Sequence, residues 1–190
     1  MMAHHPSSVA LAIPSWLGQR VALVDGTART GDEEQMRLVL ELAAENSRRG
    51  GGPFAAAIFT SSGELVAAGV NRVVPDSAPI AHAEIVAIAT AGQRVGTWNL
   101  RSVGDLTLVS STEPCAMCMG AVPWSGVRSL VIGARDADAR SAGFDEGNKP
   151  DDWPEHLASL GIDVRVDVLR PAAAAVLADY AASGGPIYNG

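Results

Sequence analysis

Cysteine is scarce in this sequence. Only two of the 190 residues are cysteines, Cys115 and Cys118. A disulfide between residues so close together would close a very short loop, and secreted domains that depend on disulfides carry many more cysteines. The count therefore argues against a secreted disulfide scaffold, and we expect a cytoplasmic protein.

Long apolar runs are also missing. The apolar stretch at residues 9–17 is broken by Pro14 and has no basic run before it, unlike a secretory signal peptide. No segment approaches the ~20 consecutive apolar residues that a membrane-spanning helix needs. The composition, 47% hydrophobic and 18% charged, is typical of a globular protein that buries a core as one domain. We therefore expect no membrane partner.

Positive charge is in the minority. The 14 Lys and Arg residues are outnumbered by 21 Asp and Glu residues, which gives a formal net charge of −7. Proteins that bind nucleic acid usually carry a basic patch that neutralises phosphates. The charge balance therefore favours a small-molecule partner over a nucleic acid.

Hydrophobic periodicity predicts helices and strands after residue 31. Acidic residues from Asp32 onward suit the start of a helix, and Pro171 suits the first turn of a closing helix. The predicted helices cover 32–49, 81–95, a segment from about 115, and 171–182; the predicted strands cover 54–60, 64–71, 106–110, 127–134 and 164–169. This order fits a five-stranded mixed sheet with helices on both faces. We interpret residues 1–31, which include His4 and His5, as a partly ordered extension and 32–190 as one domain with a C-terminal tail.

Two short motifs at predicted helix starts carry candidate metal ligands. His82 opens the second helix, and Cys115 and Cys118 open the third. One histidine and two cysteines are ligands that suit zinc, and a helix N-terminus favours ionised thiols. The other histidines are His4, His5 and His156, so a fourth protein ligand is not at hand. Three ligands with an open position predict one catalytic zinc ion per chain.

Glu84 lies two residues after His82, close enough to stand beside a zinc-bound water without being a ligand. Such a water needs a base to take its proton, and we assign this role to Glu84. Alone, a Cys-x-x-Cys pair is often a redox pair or half of a zinc knuckle, and His-x-Glu is common by chance. Together, in this order and with Pro114 before Cys115, the motifs match the signature of zinc-dependent deaminases.

The sequence resembles the cytidine and deoxycytidylate deaminase superfamily, and within it the bacterial guanine deaminase branch. The resemblance extends from about residue 32 to residue 146, and the segments that carry it are 51–54, Asn71, 82–85, 112–121, Trp124 and 142–146. It implies a three-layer α/β/α sandwich with zinc between two helix N-termini. It also implies hydrolytic deamination of guanine or a guanine-like purine base, with release of ammonia, by a homodimer.

The resemblance implies substrate-binding roles for residues outside the zinc motifs. Phe54 would stack on the base, and Asn71 would bind a polar edge of the ring or sugar. The backbone of Ala83 would meet the group beside the attacked carbon, and Trp124 would form a wall of the pocket. Structural alternatives stay open: Phe54 as core, Asn71 as a turn cap, and Trp124 as core or dimer interface.

The resemblance also singles out the acidic pair Asp145 and Glu146. In guanine deaminases the second acid of this pair lies near the substrate. Glu146 could therefore bind the amidine edge of guanine or help move protons to the leaving ammonia. The alternative is a solvated acidic loop in an already acidic protein.

Other functions remain to be distinguished from guanine deamination. Within the same chemistry, the substrate could be cytosine, a nucleoside, or another aminated ring such as a triazine or pterin. A tRNA adenosine deaminase shares both motifs, but the acidic composition argues against it. A non-catalytic zinc-stabilised binding protein would have no need for Glu84.

Overall fold

The computed structural model describes residues 10–188, so His4 and His5 lie outside the described part of the chain. The strands are β1 (Ala55–Thr60), β2 (Leu65–Val70), β3 (Leu106–Thr112), β4 (Ser129–Ala134) and β5 (Asp163–Arg165). They form one sheet in the order β2-β1-β3-β4-β5. Strand β1 is antiparallel to both of its neighbours, whereas β3, β4 and β5 are parallel. The predicted five-stranded mixed sheet is confirmed.

Helices cover both faces of this sheet. Within residues 10–188 the α-helices are α1 (Ser15–Val24), α2 (Asp32–Arg48), α3 (Val73–Asp76), α4 (Ala83–Val95), α5 (Ala116–Ser125), α6 (Asp136–Ser141), α7 (Trp153–Ser159) and α8 (Arg170–Ala182). One core cluster joins the sheet to α2 and α8, and the other joins it to α4, α5 and α7. None of these helices is long and apolar enough to cross a membrane.

Successive residues of a strand point to opposite faces of a sheet, which is why a single strand can serve both clusters. On β3, Leu108 belongs to the cluster under α4 and α5, and Val109 belongs to the cluster under α2. Both side chains are fully buried. The central strand is therefore apolar on both faces, and the three-layer α/β/α arrangement follows from that pattern.

Helix α1 lies inside the segment that the sequence suggested was only a partly ordered extension. Its Leu17 is fully buried and belongs to the same core cluster as α2. The guanidinium of Arg49, just after α2, lies 5.3 Å from the ring centroid of Trp16, and Arg20 pairs with Glu41 at 2.5 Å. Helix α1 therefore packs on the domain, although its sequence shows no clear apolar periodicity that would have predicted it.

The structure differs from the sequence prediction at the last strand. The prediction placed it at 164–169, whereas β5 covers only Asp163–Arg165. Asp167 and Leu169 adopt positive φ angles of 64° and 54°, which lie outside the extended region. The chain therefore turns there into α8. The short helices α3, α6 and α7 were not predicted, because four to seven residues are too few to show a helical period.

Candidate active site

Two helix N-termini meet at the carboxyl end of β3. His82 is the N-cap residue of α4, and Cys115 is the N-cap residue of α5. Helix α4 lies very close to β2 because residue 69 is glycine: a Cβ there would collide with the carbonyl oxygen of Ala83 and the amide of Ala87. This close contact brings the start of α4 alongside the start of α5.

The three predicted metal ligands come together at this meeting point. One ligand atom from each of His82, Cys115 and Cys118 lies within 4.8 Å of the other two. The Cys115 Sγ and His82 Nδ1 atoms are 3.5 Å apart. A hydrogen bond from Cys118 lowers the pKa of the Cys115 thiol to about 4. One nitrogen and two sulfurs, at this spacing and with one thiol readily ionised, fit a zinc ion.

Glu84 points into the same site from the first turn of α4. Its side chain is only 7% exposed, and its Oε1 accepts a hydrogen bond of 3.0 Å from the hydroxyl of Ser110 on β3. Burial, followed by the neighbouring charge of Cys115, raises the pKa of this carboxyl. A carboxyl that is held beside the metal ligands and protonates readily is suited to carry a proton.

Glu146 lines the same cavity from the segment between α6 and α7. Its side chain is also 7% exposed, and its carbonyl oxygen accepts a 2.9 Å hydrogen bond from the amide of Ala116 at the start of α5. Burial, followed by the charges of Cys115 and Glu84, raises the pKa of Glu146 to about 8. Its neighbour Asp145 is exposed and pairs with Arg140 at 2.9 Å. The acidic pair is thus divided into one buried and one exposed carboxyl.

A cavity of about 400 Å³ opens onto these groups. Phe54 and Phe144 form an aromatic floor, with ring centroids 4.9 Å apart in an edge-to-face arrangement. Tyr188, from the C-terminal tail, packs edge-on against Phe144 at 5.4 Å. The lining residues also include Asn71, Ile80, His82, Glu84, Cys115, Asp145 and Glu146. A flat heterocycle matches both this volume and the aromatic surface.

Asn71 is buried at the end of β2 and lines the cavity. Its side-chain oxygen accepts a hydrogen bond from the amide of Val73 at 3.2 Å. Asn46 on α2 donates to the carbonyl oxygens of both Asn71 (2.8 Å) and Gly52 (2.9 Å), which ties the two loops together. Glycine at residue 52 leaves room for Tyr188, because a Cβ there would overlap the tyrosine hydroxyl as it lies in this structure.

The two remaining predicted substrate contacts fare differently. The side chain of Ala83 is buried in the core, so the predicted contact through its backbone stays a prediction. Trp124 does not line the cavity of its own chain: it stands near the far end of α5 with 87% of its surface exposed. The wall expected from Trp124 is therefore not formed within this chain, because the length of α5 carries it away from the zinc ligands.

Two residues beside the site were missed by the sequence analysis: Ser110, which contacts Glu84, and Lys149, which pairs with Glu113 just before the cysteine motif. A serine in an apolar strand was a usable signal for Ser110, whereas Lys149 lies in a segment whose sequence matches no recognised motif. Tyr188 belongs to the C-terminal tail, whose aromatic residue is part of the resemblance to guanine deaminases, and it lines the cavity of its own chain.

Comparisons with known proteins agree with this geometry. Residues 29–134 match the profile of the family described as "Cytidine and deoxycytidylate deaminase zinc-binding region". A guanine deaminase of Bacillus subtilis (strain 168) is 38% identical over 115 residues, which are 60% of this chain and 71% of that protein. A tRNA-specific adenosine deaminase of Haemophilus influenzae is 35% identical over 105 residues, 55% of this chain and 59% of that protein.

A solved structure shows the same fold over nearly the whole chain. It is a guanine deaminase from Nitrosomonas europaea, 44% identical, with a TM-score of 0.88 over 95% of this chain and 100% of that one. The family match covers more than half of the sequence and includes all three ligands of the site. The chain therefore belongs to the cytidine and deoxycytidylate deaminase family, and His82, Cys115 and Cys118 are positioned to hold its zinc ion.

Proposed function

We propose that this enzyme hydrolytically deaminates guanine or a guanine-like aminopurine. The observation that carries the substrate proposal is Glu146, a second buried carboxyl in the cavity that already holds Glu84 and the zinc ligands. Family membership accounts for Glu84 and the ligands, whatever the amino-heterocycle. Glu146 adds an acceptor that only some of these rings can use.

The proposed roles follow from position. His82, Cys115 and Cys118 would hold the zinc ion, whose Lewis-acid chemistry would make the attacking water more acidic. Glu84 accepts the proton of the attacking water, delivers it to a ring nitrogen, and then helps protonate the leaving amine. Water and the aminopurine yield the oxo-purine and ammonia, so all atoms and protons are accounted for.

Glu146 would bind the edge of the base. Guanine presents a ring N–H next to its 2-amino group, so one carboxylate can accept two hydrogen bonds from it. Cytosine has no second donor beside its amino group. In the alternative role, its raised pKa of about 8 would let Glu146 hold a proton near neutral pH and pass it to the leaving amine, instead of accepting both hydrogen bonds as a carboxylate.

The remaining lining residues would fix the plane of the ring. Phe54 would stack on the ring, and Asn71, which also lines the cavity, would bind a polar edge of it. The backbone of Ala83 would meet the group beside the attacked carbon. Similarity to the guanine deaminases of Bacillus subtilis and Nitrosomonas europaea supports the same substrate class.

The substrate proposal is tested by measuring kcat/KM for guanine, guanosine, adenine, cytosine, cytidine and a tRNA anticodon stem-loop. Ammonia release gives a common readout. We expect guanine to be the best substrate and the stem-loop to be inert. Glu146→Gln should lower kcat/KM for guanine by ~10- to 100-fold or more, because hydrogen bonds to a charged group are lost, and should affect pyrimidines much less.

Asp145→Asn is the matched control, because Asp145 is the neighbouring acid but is exposed and paired with Arg140. It should leave the order of substrates unchanged. If cytidine or the stem-loop were the best substrate, the guanine proposal would fail while the family assignment stood. A nucleoside that outperformed its free base would mean that the cavity accommodates the sugar.

The proposal extends to assembly and location. Helix α5 carries no charged residue, and its exposed face runs through Met117 and Trp124. An uncharged apolar face of this kind supports a homodimer as the working state. Thiols that must stay reduced to bind zinc support a cytoplasmic location.

A further inference from the structure

Two adjacent serines on β3 have different partners. Ser110 and Ser111 are each 2% exposed. The Ser110 hydroxyl donates to Glu84 Oε1 at 3.0 Å, on the face that carries α4 and α5. The Ser111 hydroxyl accepts a 3.1 Å hydrogen bond from the amide of Ala55. Side chains alternate along a strand, so the two hydroxyls lie on opposite faces of the sheet.

The position of Ser110 belongs otherwise to the apolar core. Leu106 and Leu108 precede it on the same face of β3, and both are buried in the cluster under α4. Its partners across the sheet are Ala56 on β1 and Ile132 on β4. A buried hydroxyl among apolar groups is costly unless it is hydrogen-bonded. The bond to Glu84 is what makes a serine acceptable here.

We propose that Ser110 is a positioning residue that holds Glu84 in its working orientation, an inference that rests on the proposed deaminase reaction. A glutamate side chain turns about three bonds, and the terminal torsion is broad. Donation from Ser110 fixes Oε1 and therefore the plane of the carboxylate. Proton exchange with water and substrate is then left to Oε2.

The geometry explains why this arrangement serves catalysis. Glu84 must accept a proton at one moment and deliver it at another, and each transfer needs a short, aligned contact. The support for Glu84 comes from β3, the strand that leads directly into the cysteine motif. Strand β3 is central in the sheet, and α4 packs on the sheet. The carboxylate is therefore held in place by the core of the domain and not by a loop.

Ser110→Ala and Ser111→Ala form a matched pair for the test. On the best substrate of the zinc-loaded enzyme, Ser110→Ala should lower kcat by ~10- to 100-fold, the size expected for a lost hydrogen bond to a charged group, with little change in KM. Zinc content should stay at the wild-type level. Ser110→Thr, which keeps the hydroxyl, should recover most of the lost kcat, and Ser111→Ala should keep wild-type kcat.

Several outcomes would overturn the proposal. An unchanged kcat in Ser110→Ala would do so, as would equal losses in Ser110→Ala and Ser111→Ala that follow a shared fall in melting temperature. A crystal structure of zinc-loaded Ser110→Ala gives a readout that needs no turnover. We expect Glu84 to leave its wild-type rotamer there, and an unmoved side chain would contradict the positioning role. If guanine were not the best substrate of the panel but Glu84 were displaced in the Ser110→Ala structure, the proposed function would be rejected and the positioning role of Ser110 would stand.

Discussion

At the scale of the residue, Glu84 and the three zinc ligands have separable duties. The ligands hold the metal, whereas Glu84 is buried beside them and is bonded to Ser110 rather than placed among the ligand atoms. A change at Glu84 should therefore affect turnover without affecting metal content, and a change at a ligand should affect both.

Glu84→Gln is expected to keep the fold and zinc but to lose nearly all activity. An amide cannot accept the proton of water, and general acid–base catalysis contributes ~10²–10⁴-fold. Elemental analysis should find about one zinc per chain in this variant, whereas Cys115→Ser should lose most of the metal. Activity within tenfold of wild type would show that Glu84 is not the proton carrier, and full zinc in Cys115→Ser would contradict the ligand set.

At the scale of the element, the segment between Glu146 and α7 is held down by a buried cation. The Lys149 ammonium pairs with Glu113 at 2.7 Å and with Asp136 at 2.8 Å, and it donates to the carbonyl oxygen of Pro114 at 3.1 Å. Lys149 and Glu113 are each only 7% exposed. The ion pairs thus join the loop after Glu146 to the residues just before Cys115.

Lys149→Met should destabilise the protein by about 3–5 kcal/mol at pH 7, because it leaves the buried Glu113 carboxylate without its ion-pair partner, although Asp136 keeps Arg140. The pKa of Asp136 lies below its ordinary 3.8: burial alone would raise it, but the hydrogen bonds from Lys149 and Arg140 prevail. A carboxyl whose pKa is lower in the folded protein than in the unfolded chain stabilises the fold at any pH above the unfolded pKa. This stabilisation is lost as the pH falls from the unfolded pKa through the folded one. The difference between variant and wild type should therefore shrink below pH 3.8.

The measurement is the free energy of unfolding by denaturant at pH 7 and at a pH below 3.8, with Arg94→Met as control. Arg94 pairs with Asp25 on the surface, where both side chains are more than 40% exposed. Such pairs contribute about 0–1 kcal/mol. If the two variants lost equal amounts of unfolding free energy, the Lys149 ion pairs would stabilise the protein no more than a surface ion pair does.

At the scale of the whole molecule, the exposed surface of α5 predicts self-association. Met117 and Trp124 lie seven residues apart, which places them on one side of the helix, with the small residues Gly120 and Ala121 between them. Light scattering at micromolar concentration should give the dimer mass. Trp124→Glu should shift the mass to the monomer, because a charge would be buried in an apolar contact.

Trp98 provides the control for that experiment. It is equally large and 89% exposed, but it lies after α4 and outside this helix face. Trp98→Glu should leave the dimer intact. A monomer mass for the wild type would exclude the dimer, and dissociation by both variants would place the interface elsewhere on the molecule.

The zinc ligands and the element order could be predicted from the sequence because each depends on short spacings. Glu84 lies two positions after His82, and Cys118 lies three positions after Cys115, so a helix start arranges each motif locally. Apolar periodicity likewise marked the five strands and the helices that border the site. One histidine and two cysteines at these spacings limit both the metal and the kind of reaction that the chain can support.

Only the tertiary structure decided which distant residues surround those motifs. Ser110 and Glu84 are 26 positions apart, and Lys149 and Glu113 are 36 apart, so their contacts depend on strand order and helix packing. The same holds for Tyr188, which lines the cavity from the far end of the chain. Trp124 turned away from the cavity because the length of α5 carries it to the opposite end of the helix. Local spacing specifies the reactive groups, whereas long-range packing determines what holds and covers them.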